Sequence, residues 1–411
     1  MVRLLTHQTK SLKRPARLFL IAIVIDGIAI SNWQLFFNFY ILERGFSKEY
    51  LGLVNAMPSV AALIFGIPLG VLSDRLGRKI SMIIGAGINI GCMVFQLLLS
   101  SPTLILLAAF IGGLAAMLFY ISQAPFMMKA SDKDNRALLF SLSYGLWTIS
   151  GAVGNLFAGQ LPDLFAKILQ VPARDAAAYQ AVLLVSVAIS ILTLIPLIFL
   201  HEERSYEQNG MNAEKTSIWN LLIQPFTLKL ALPNLIIGFG AAVLMPYMNV
   251  FFLDKFALPD QKLGILFSLL ALLTGLGSII GPKIADLLGG KIKAVVLTQL
   301  SSVLFLVILG YSPILIFASI SFLFRGVLMN MAVPLYHAFA MEHVDEQHYG
   351  ALNSILELNW QMGWAIGPYI SGVIQARYGF NPLFAMTSLL YATATVVVWF
   401  LFRKSDKKDS E

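Results

Sequence analysis

The chain has 411 residues, of which 58% are hydrophobic and only 12% are charged. Soluble domains carry about a quarter charged residues, so this composition excludes an ordinary soluble protein and indicates an integral membrane protein. The formal net charge of +7 would suit nucleic acid, but the placement of the basic residues along the chain argues for a lipid surface instead.

Apolar runs of about 20 residues, the length that crosses a bilayer, follow one another along nearly the whole chain. They predict an all-α integral membrane fold with twelve transmembrane helices. The predicted spans are 17–41, 50–73, 80–100, 103–127, 137–161, 179–200, 230–253, 262–285, 293–311, 313–338, 349–373 and 381–402. Pro246 predicts a kink in the seventh span, because proline removes a helix hydrogen bond.

The longest polar segment separates the sixth span from the seventh and predicts a cytoplasmic linker. Its second part, residues 216–228, mixes aromatic, leucine and polar side chains, which favours a helix lying in the membrane interface. The predicted domain organisation is a cytoplasmic N-terminal tail (1–16), a six-helix bundle (17–200), the linker (201–229), a second six-helix bundle (230–402) and a cytoplasmic C-terminal tail (403–411).

The basic residues predict the orientation of these spans. An even number of spans places both termini on one side, and that side carries 21 lysines and arginines against seven on the other, with Arg325 left inside a span. Because basic loops stay in the cytoplasm, we expect both termini to be cytoplasmic in a multi-pass plasma (inner) membrane protein. The basic residues then contact lipid headgroups, and no nucleic-acid partner is expected.

The two halves of the chain repeat each other. Landmarks recur at nearly constant offsets, which predicts two pseudo-symmetric six-helix bundles from a duplicated unit. The pairs at an offset of 212 are Asp74 with Asp286, Gly77 with Gly289, Lys79 with Lys291 and Gly52 with Gly264; those at 213 are Trp147 with Trp360 and Gly154 with Gly367.

Residues 70–79, between the second and third spans, form a charged turn with the pattern G-x-L-x-D-R-x-G-R-K. Charges cannot enter hydrocarbon cheaply, so this turn lies at a membrane surface. The pattern resembles the loop signature between the second and third helices of the major facilitator superfamily. The simpler alternative is an ordinary positive-inside turn. The motif residues are Gly70, Asp74, Arg75, Gly77, Arg78 and Lys79.

The resemblance implies a transporter that works by alternating access, with its substrate path between the halves near the membrane midplane. It also implies a cytoplasmic gate, in which the aspartate caps the start of the eleventh helix and the arginine pairs with an acid after the fourth. Here those contacts would join Asp74 to the region of Tyr349, and Arg75 to Asp132 or Asp134. The second copy of the motif keeps Asp286 but lacks the arginines, so we expect a weaker gate there.

Three ionisable residues lie deep in the predicted spans: Asp26, Arg325 and Glu357. An ionisable group in a membrane costs several kcal/mol, so each is a functional candidate. Asp26 lies about 15 Å along the first helix, and Trp33 shares its face with Gln34 beside it. Since the first helix lines the cavity in the superfamily, the resemblance implies an acid with an aromatic platform on the translocation path.

The fifth and eleventh spans carry matching polar and aromatic stripes. We expect these stripes to line the cavity, although polar side chains also serve as packing contacts between membrane helices. The candidates are Tyr144 and Trp147 in the fifth span, and Glu357, Trp360, Gln361 and Trp364 in the eleventh.

Arg325 lies midway along the tenth span, with Tyr336 on its face. It could bind an anionic group of the substrate, or it could neutralise Glu357 or Asp26. A carboxyl group removed from water takes up a proton more readily, so Asp26 and Glu357 are candidate proton carriers. The alternative is that each acid is permanently paired with Arg325.

These patterns predict a secondary transporter for a small organic or amphipathic compound, most simply proton-coupled efflux. A glycine-proline pattern at 363–372 resembles the signature that drug antiporters carry in the fifth helix, although here it lies in the eleventh span. Two acids against one arginine favour a cationic compound. The alternatives are a sugar or organic-anion transporter, with Arg325 as the anion ligand, and a lipid or glycolipid flippase.

Catalysis is not expected from this sequence. It shows no nucleotide-binding glycine loop and no telling nucleophile–base pair, and Cys92 is its single cysteine. We therefore expect no cofactor and no metal. The expected partners are the small-molecule substrate, protons and the lipid bilayer, with the protein acting as a monomer.

Overall fold

The computed structural model describes residues 12–201, 224–345 and 348–403. Within these ranges the regular structure is helical, apart from one 3₁₀ turn at Met245–Tyr247. The α-helices are α1 Arg14–Glu43, α2 Lys48–Leu76, α3 Arg78–Leu98, α4 Pro102–Ala130, α5 Lys133–Ala158, α6 Leu161–Leu169, α7 Ala176–Ile198, α8 Pro225–Leu244, α9 Met248–Phe256, α10 Asp260–Leu288, α11 Lys291–Tyr311, α12 Leu315–Glu342, α13 Tyr349–Tyr378 and α14 Asn381–Phe402.

The twelve predicted spans correspond to α1–α5, α7, α8 with α9, and α10–α14. Among the described residues, ten helical segments are long and apolar enough to cross a membrane. The other two, α5 and α13, have 26 and 30 residues and are long enough. They are the helices whose polar and aromatic stripes lower the mean hydropathy.

Three details depart from the predicted boundaries. The first helix begins at Arg14, within the predicted tail, and Pro15 lies in its first turn, where proline is well tolerated. The short helix α6 follows α5 and was not predicted, because nine residues rise only about 14 Å and cannot span the membrane. The predicted kink at Pro246 is confirmed by the 3₁₀ turn between α8 and α9.

The chain divides into two compact units. Unit 1 comprises Met1–Phe46, Met57–Ser205 and Ala257–Ala271. Unit 2 comprises Ser47–Ala56, Tyr206–Phe256 and Leu272–Glu411. Apart from two short segments, the division follows the predicted linker. The start of α2 belongs to unit 2, and the start of α10 belongs to unit 1.

The starts of α2 and α10 are held by close backbone approaches at the matched glycines. In unit 2, a Cβ atom added to Gly52 of α2 would lie 2.5 Å from the carbonyl oxygen of Pro368 in α13. In unit 1, a Cβ atom added to Gly264 of α10 would lie 2.5 Å from the carbonyl oxygen of Asn155 in α5. The sequence repeat at offset 212 therefore reappears as a repeated contact.

Each unit has its own apolar core. In unit 1 a buried cluster around Phe19, Phe119 and Phe126 joins α1 and α4, and residues of α3, α5 and α7 complete it. In unit 2 the corresponding cluster surrounds Phe339 and Phe402. Many large apolar side chains are exposed on the outer faces of the helices, as expected of helices that face lipid, where burial inside protein is not required for apolar groups.

Candidate functional site

Asp26 is the centre of a polar site inside unit 1. Its carboxylate accepts a hydrogen bond from the side chain of Trp147 on α5, and its charge acts on the hydroxyl of Tyr120 on α4. The Oδ2 atom of Asp26 is buried and has no hydrogen-bond partner among the described residues. An acid with one unsatisfied oxygen in apolar surroundings is a site that a proton or a cation can occupy.

The close crossing of α1 and α5 positions Trp147 at this acid. A Cβ atom added to Gly27, the residue next to Asp26, would lie 2.8 Å from the carbonyl oxygen of Trp147. One added to Gly154 on α5 would lie 2.8 Å from the carbonyl oxygen of Ile28. Small residues at these positions bring the backbones together, and the indole of Trp147 consequently reaches Asp26.

The same crossing is repeated in unit 2 between α8 and α13. Gly238, which matches Gly27 at an offset of 211, lies against Trp360. A Cβ atom added to Gly363 would lie 2.5 Å from the amide nitrogen of Phe239. The residue that matches Asp26 is Ile237, so the acid at the crossing belongs to unit 1 alone.

The other predicted lining residues of unit 1 lie on α1 and α5, the two helices that cross at Asp26. Trp33 stacks on Phe37 with ring centroids 4.8 Å apart, and Gln34 is exposed. Tyr144 is 57% exposed and Trp147, which contacts the acid, is 36% exposed. Their role as substrate-lining residues stays a prediction.

Glu357 lies on an exposed face of α13 in unit 2. Its Oε1 atom accepts a hydrogen bond of 2.9 Å from Nε2 of Gln361, one turn further on, and its charge acts on His337 of α12. Trp360 and Trp364 follow, with ring centroids 6.2 Å apart. The indole nitrogen of Trp364 is buried without a partner among the described residues, so this stripe also keeps a free donor.

Arg325 does not contact Glu357 in the described structure. It is 6% exposed, its Nη2 atom donates a 2.8 Å hydrogen bond to the hydroxyl of Tyr391 on α14, and its guanidinium lies over the same ring. Of the alternatives for Arg325, neutralisation of Glu357 is therefore not seen, and the guanidinium contacts Tyr391 instead. The backbone of Arg325 lies against α11, where its carbonyl oxygen accepts a 3.1 Å hydrogen bond from the hydroxyl of Ser302.

Tyr336 also lies away from an open surface. It is 7% exposed within the apolar cluster of unit 2, and its hydroxyl donates a 2.8 Å hydrogen bond to the carbonyl oxygen of Leu230. Its position in the core gives it a packing role, so neither Tyr336 nor Arg325 enters the site proposed below.

The Arg325–Tyr391 contact gives the first testable prediction. Replacing Tyr391 by Phe leaves a buried guanidinium with one hydrogen bond fewer, which we expect to lower the free energy of unfolding by about 1–3 kcal/mol. Tyr311→Phe is the matched control, since that hydroxyl bonds a backbone carbonyl at 3.3 Å on an exposed side chain. Thermal unfolding in detergent distinguishes the two, and equal melting temperatures for both variants would contradict the prediction.

The turn motif is organised around Arg78. This residue pairs with Asp74 one turn before it and donates a 2.8 Å hydrogen bond to the hydroxyl of Ser73, which in turn contacts Ser122 of α4 at 2.7 Å. Gly77, with φ of 87°, joins α2 to α3 in a backbone conformation that favours glycine. The proposed capping role of Asp74 near Tyr349 stays a prediction.

One of the two acids expected to pair with Arg75 has another partner in the structure. Asp132 pairs instead with Lys13 at 2.7 Å, because α1 begins early enough to bring Lys13 to the end of α4. Arg75 is exposed, and the side chain of Asp134 lies outside the described residues.

The second copy of the motif has a pair that the sequence analysis did not foresee. Lys291, at the start of α11, contacts Glu342, the last residue of α12, at 2.5 Å. Asp286 is exposed, and Gly289 has φ of 66°. The sequence signal for this pair was a base directly after the turn and an acid shortly after the tenth predicted span. Although this copy of the motif lacks the arginines, it therefore keeps a contact between a base and an acid.

A sequence model of the Major Facilitator Superfamily matches residues 19–235 and 230–411. The synaptic vesicular amine transporter of Rattus norvegicus is 23% identical over 85% of this chain and 66% of its own length. The multi-drug resistance efflux pump PmrA of Streptococcus pneumoniae serotype 4 is 22% identical over 92% of this chain and 94% of the pump.

Two further matches agree with these. The uncharacterized transporter MJ1317 of Methanocaldococcus jannaschii is 30% identical over 37% of this chain and spans 39% of its own length. A bacterial homologue of the human lysosomal transporter Spinster, solved in an inward-facing and unoccupied conformation, superimposes with a TM-score of 0.75 at 14% identity, covering 96% of this chain and 97% of that one. The chain therefore belongs to the major facilitator superfamily of multi-pass membrane transporters.

Proposed function

We propose that the chain exports an organic cation in exchange for protons, and that Asp26 binds the two in turn. The observation that carries this proposal is the buried Oδ2 atom of Asp26, which has no partner among the described residues and lies on an acid held by Trp147. A proton or a positively charged group satisfies that oxygen equally well, but both cannot occupy it together. Such exclusion is the basis of exchange.

Aromatic side chains next to the acid favour a cation over a neutral or anionic compound. The faces of Trp and Tyr rings attract a positive charge, and both Trp147 and Tyr120 are partly exposed beside Asp26. Arg325, the expected ligand for an anion, is buried against Tyr391. The names of two relatives, an amine transporter and a multidrug efflux pump, agree with this substrate class.

The remaining features of the proposal follow from the charge pattern of the sequence. Twenty-one basic residues lie on the side of the termini against seven on the other, which supports cytoplasmic termini in a plasma membrane. Export then carries the cation from the side of the termini to the opposite side. A monomer suffices for this cycle, since Asp26 and its neighbours come from one chain.

The proposal is tested by transport into proteoliposomes whose interior is acidic. Proton efflux should then drive uptake of radiolabelled 1-methyl-4-phenylpyridinium, an aromatic cation that cannot itself carry a proton. Benzenesulfonate, an aromatic anion of similar size, is the matched probe and should not accumulate. Collapse of the pH gradient by an ionophore should abolish cation uptake. Accumulation of the anion alone, or uptake that ignores the gradient, would refute the proposal.

Glu357 supplies the next prediction, because we propose it as a second proton carrier. Glu357→Gln keeps an oxygen that can accept the hydrogen bond from Gln361 but removes the titrating group. We expect gradient-driven uptake of the cation to fall while exchange of labelled for unlabelled cation, which moves no net protons, continues. Adding Asn353→Asp to the Glu357→Gln variant places a new acid one turn earlier on the same exposed stripe of α13. This double variant tests whether a nearby acid restores the driven uptake. Unchanged driven uptake in Glu357→Gln would rule out this role.

A further inference from the structure

A second buried acid, Asp260, lies at the opposite end of unit 1 from Lys13. It is the first residue of α10 and is only 5% exposed. Its Oδ2 atom accepts a 3.0 Å hydrogen bond from the hydroxyl of Tyr179 on α7, and Tyr179 is itself fully buried. Its Oδ1 atom is buried with no partner among the described residues. The turn signature and the Asp26 site do not involve this residue.

Arg174 attracts the carboxylate of Asp260 but makes no direct ion pair with it among the described residues. Arg174, which precedes α7, donates its hydrogen bonds to the carbonyl oxygens of Ala257 and Leu258 at 3.4 and 3.3 Å. The other charged groups that act on Asp260 are the acids Glu43 at the end of α1 and Asp163 on α6. Lys262, on the same helix as Asp260, is exposed. Two neighbouring acids, with a single arginine whose hydrogen bonds go to backbone carbonyl oxygens, make a third negative charge on Asp260 unfavourable.

The connector before α10 is held in a strained shape by the same arginine. Ala257 has φ of 48°, a left-handed conformation that costs a non-glycine residue free energy. Pro259 follows and restricts Leu258 to extended geometry. The two carbonyl oxygens that Arg174 binds flank this strained point, so the start of α10 is fixed to unit 1 by Arg174, by Tyr179 and by the close approach at Gly264.

We propose that Asp260 is a further proton-binding residue, separate from Asp26 and Glu357, and that its protonated carboxyl group keeps the start of α10 docked on unit 1. In the docked state an ionised Asp260 would be a buried charge with one unsatisfied oxygen. Loss of the proton therefore favours the undocked state, in which the carboxylate gains water. Residues 257–271 belong to unit 1, while the rest of α10 belongs to unit 2. Release of the proton from Asp260 would therefore be coupled to movement of the first part of α10.

The direction of the pH effect follows from proton linkage. The docked state binds the proton more tightly than the undocked state, so docking is complete at low pH and weakens as pH rises. Over the range in which only the docked state retains the proton, the docking equilibrium constant falls by up to about tenfold for each pH unit. With cytoplasmic termini this acid lies at the outer face, where external protons would reach it.

Spin labels on α6 and α10 measure the docking directly. Ile168 and Ile265 are exposed and uncharged, and both lie in unit 1, so cysteines there leave every charge in place; the background is Cys92→Ala. Distances by pulsed electron resonance are recorded in detergent without substrate, across a pH series. We expect one narrow short distance at low pH and a growing longer population as pH rises. A distance distribution that does not change with pH would overturn the proposal.

Three variants assign any pH response to Asp260. Asp260→Asn, a neutral mimic of the protonated acid, should stay docked at every pH. Asp175→Asn is the control and should behave like the parent, since Asp175 caps α7 through its side chain and Asn caps equally well. Tyr179→Phe, which keeps the acid, should show a smaller docked fraction at each pH. A pH response that persists in Asp260→Asn, or an unchanged docked fraction in Tyr179→Phe, refutes the proposal.

These measurements use no substrate, so they are independent of the proposed transport of cations. A failure of Asp260 as a proton site would leave the exchange at Asp26 standing, and the reverse also holds.

Discussion

Replacing Asp26 by Asn is expected to abolish gradient-driven uptake of the cation. Asn has nearly the same shape, and its side-chain oxygen can still accept the hydrogen bond from the indole of Trp147, but it carries no negative charge and binds no proton. The probe cation has no N–H group, so the carboxylate attracts it by charge alone, and opposite unit charges about 4 Å apart attract each other by about 1 kcal/mol in water and about 4 kcal/mol near a protein surface. We therefore expect the apparent affinity for 1-methyl-4-phenylpyridinium to fall by about ten- to hundredfold.

Exchange of labelled for unlabelled cation makes this prediction specific. Asp26→Asn should impair exchange as well as driven uptake, whereas Glu357→Gln should impair driven uptake alone. Asp254→Asn is the matched control, because that acid is exposed and pairs with Lys48 at 2.6 Å, a contact that contributes little. Asp26→Asn with the parent's affinity and driven uptake would remove Asp26 from the mechanism.

The sequence predicted the elements of the fold and the place of Asp26 near the middle of the first helix, because both depend on local patterns. Hydropathy over about 20 residues is enough to find a span, and the rise per residue is enough to place Asp26 near its middle. Trp147 was chosen as a lining residue from its stripe on the fifth span. Its hydrogen bond to Asp26 could not be predicted in this way, because it depends on how α1 crosses α5. That crossing is set by glycines on both helices, whose role is visible only when the two helices are seen together.

The partners of charged residues were harder to predict, because a helix can present a given face to several neighbours. Pairing with an acid was one alternative for Arg325, but its guanidinium bonds the hydroxyl of Tyr391. Asp132 was one of two acids expected to pair with Arg75, but it pairs with Lys13, since α1 begins three residues before the predicted span. Asp260 lies between the predicted seventh and eighth spans and was not among the candidate residues, because its burial and its contact with Tyr179 of α7 depend on tertiary structure.

A methyl group at Gly27 provides a test of the geometry of the site without altering its charge. In Gly27→Ala the new Cβ atom would lie 2.8 Å from the carbonyl oxygen of Trp147, closer than packed atoms tolerate, so α1 and α5 must separate. Overpacking of this kind typically lowers the free energy of unfolding by about 1–3 kcal/mol. The indole of Trp147 would move away from Asp26, and we expect cation affinity to fall although Asp26 remains.

Gly91→Ala is the control for Gly27→Ala, because a Cβ atom there meets nothing within 4 Å. Alanine is favoured over glycine inside a helix by about 0.5–1 kcal/mol, so this variant should be as stable as the parent or more stable, with unchanged transport. Thermal unfolding and binding of the labelled cation are measured on the same preparations. A Gly27→Ala protein that melts lower but binds the cation normally would show that Trp147 need not touch Asp26, and the acid alone would then define the site. Loss of binding together with lower stability, set against an unaffected Gly91→Ala, would instead place the α1–α5 crossing at the origin of the site.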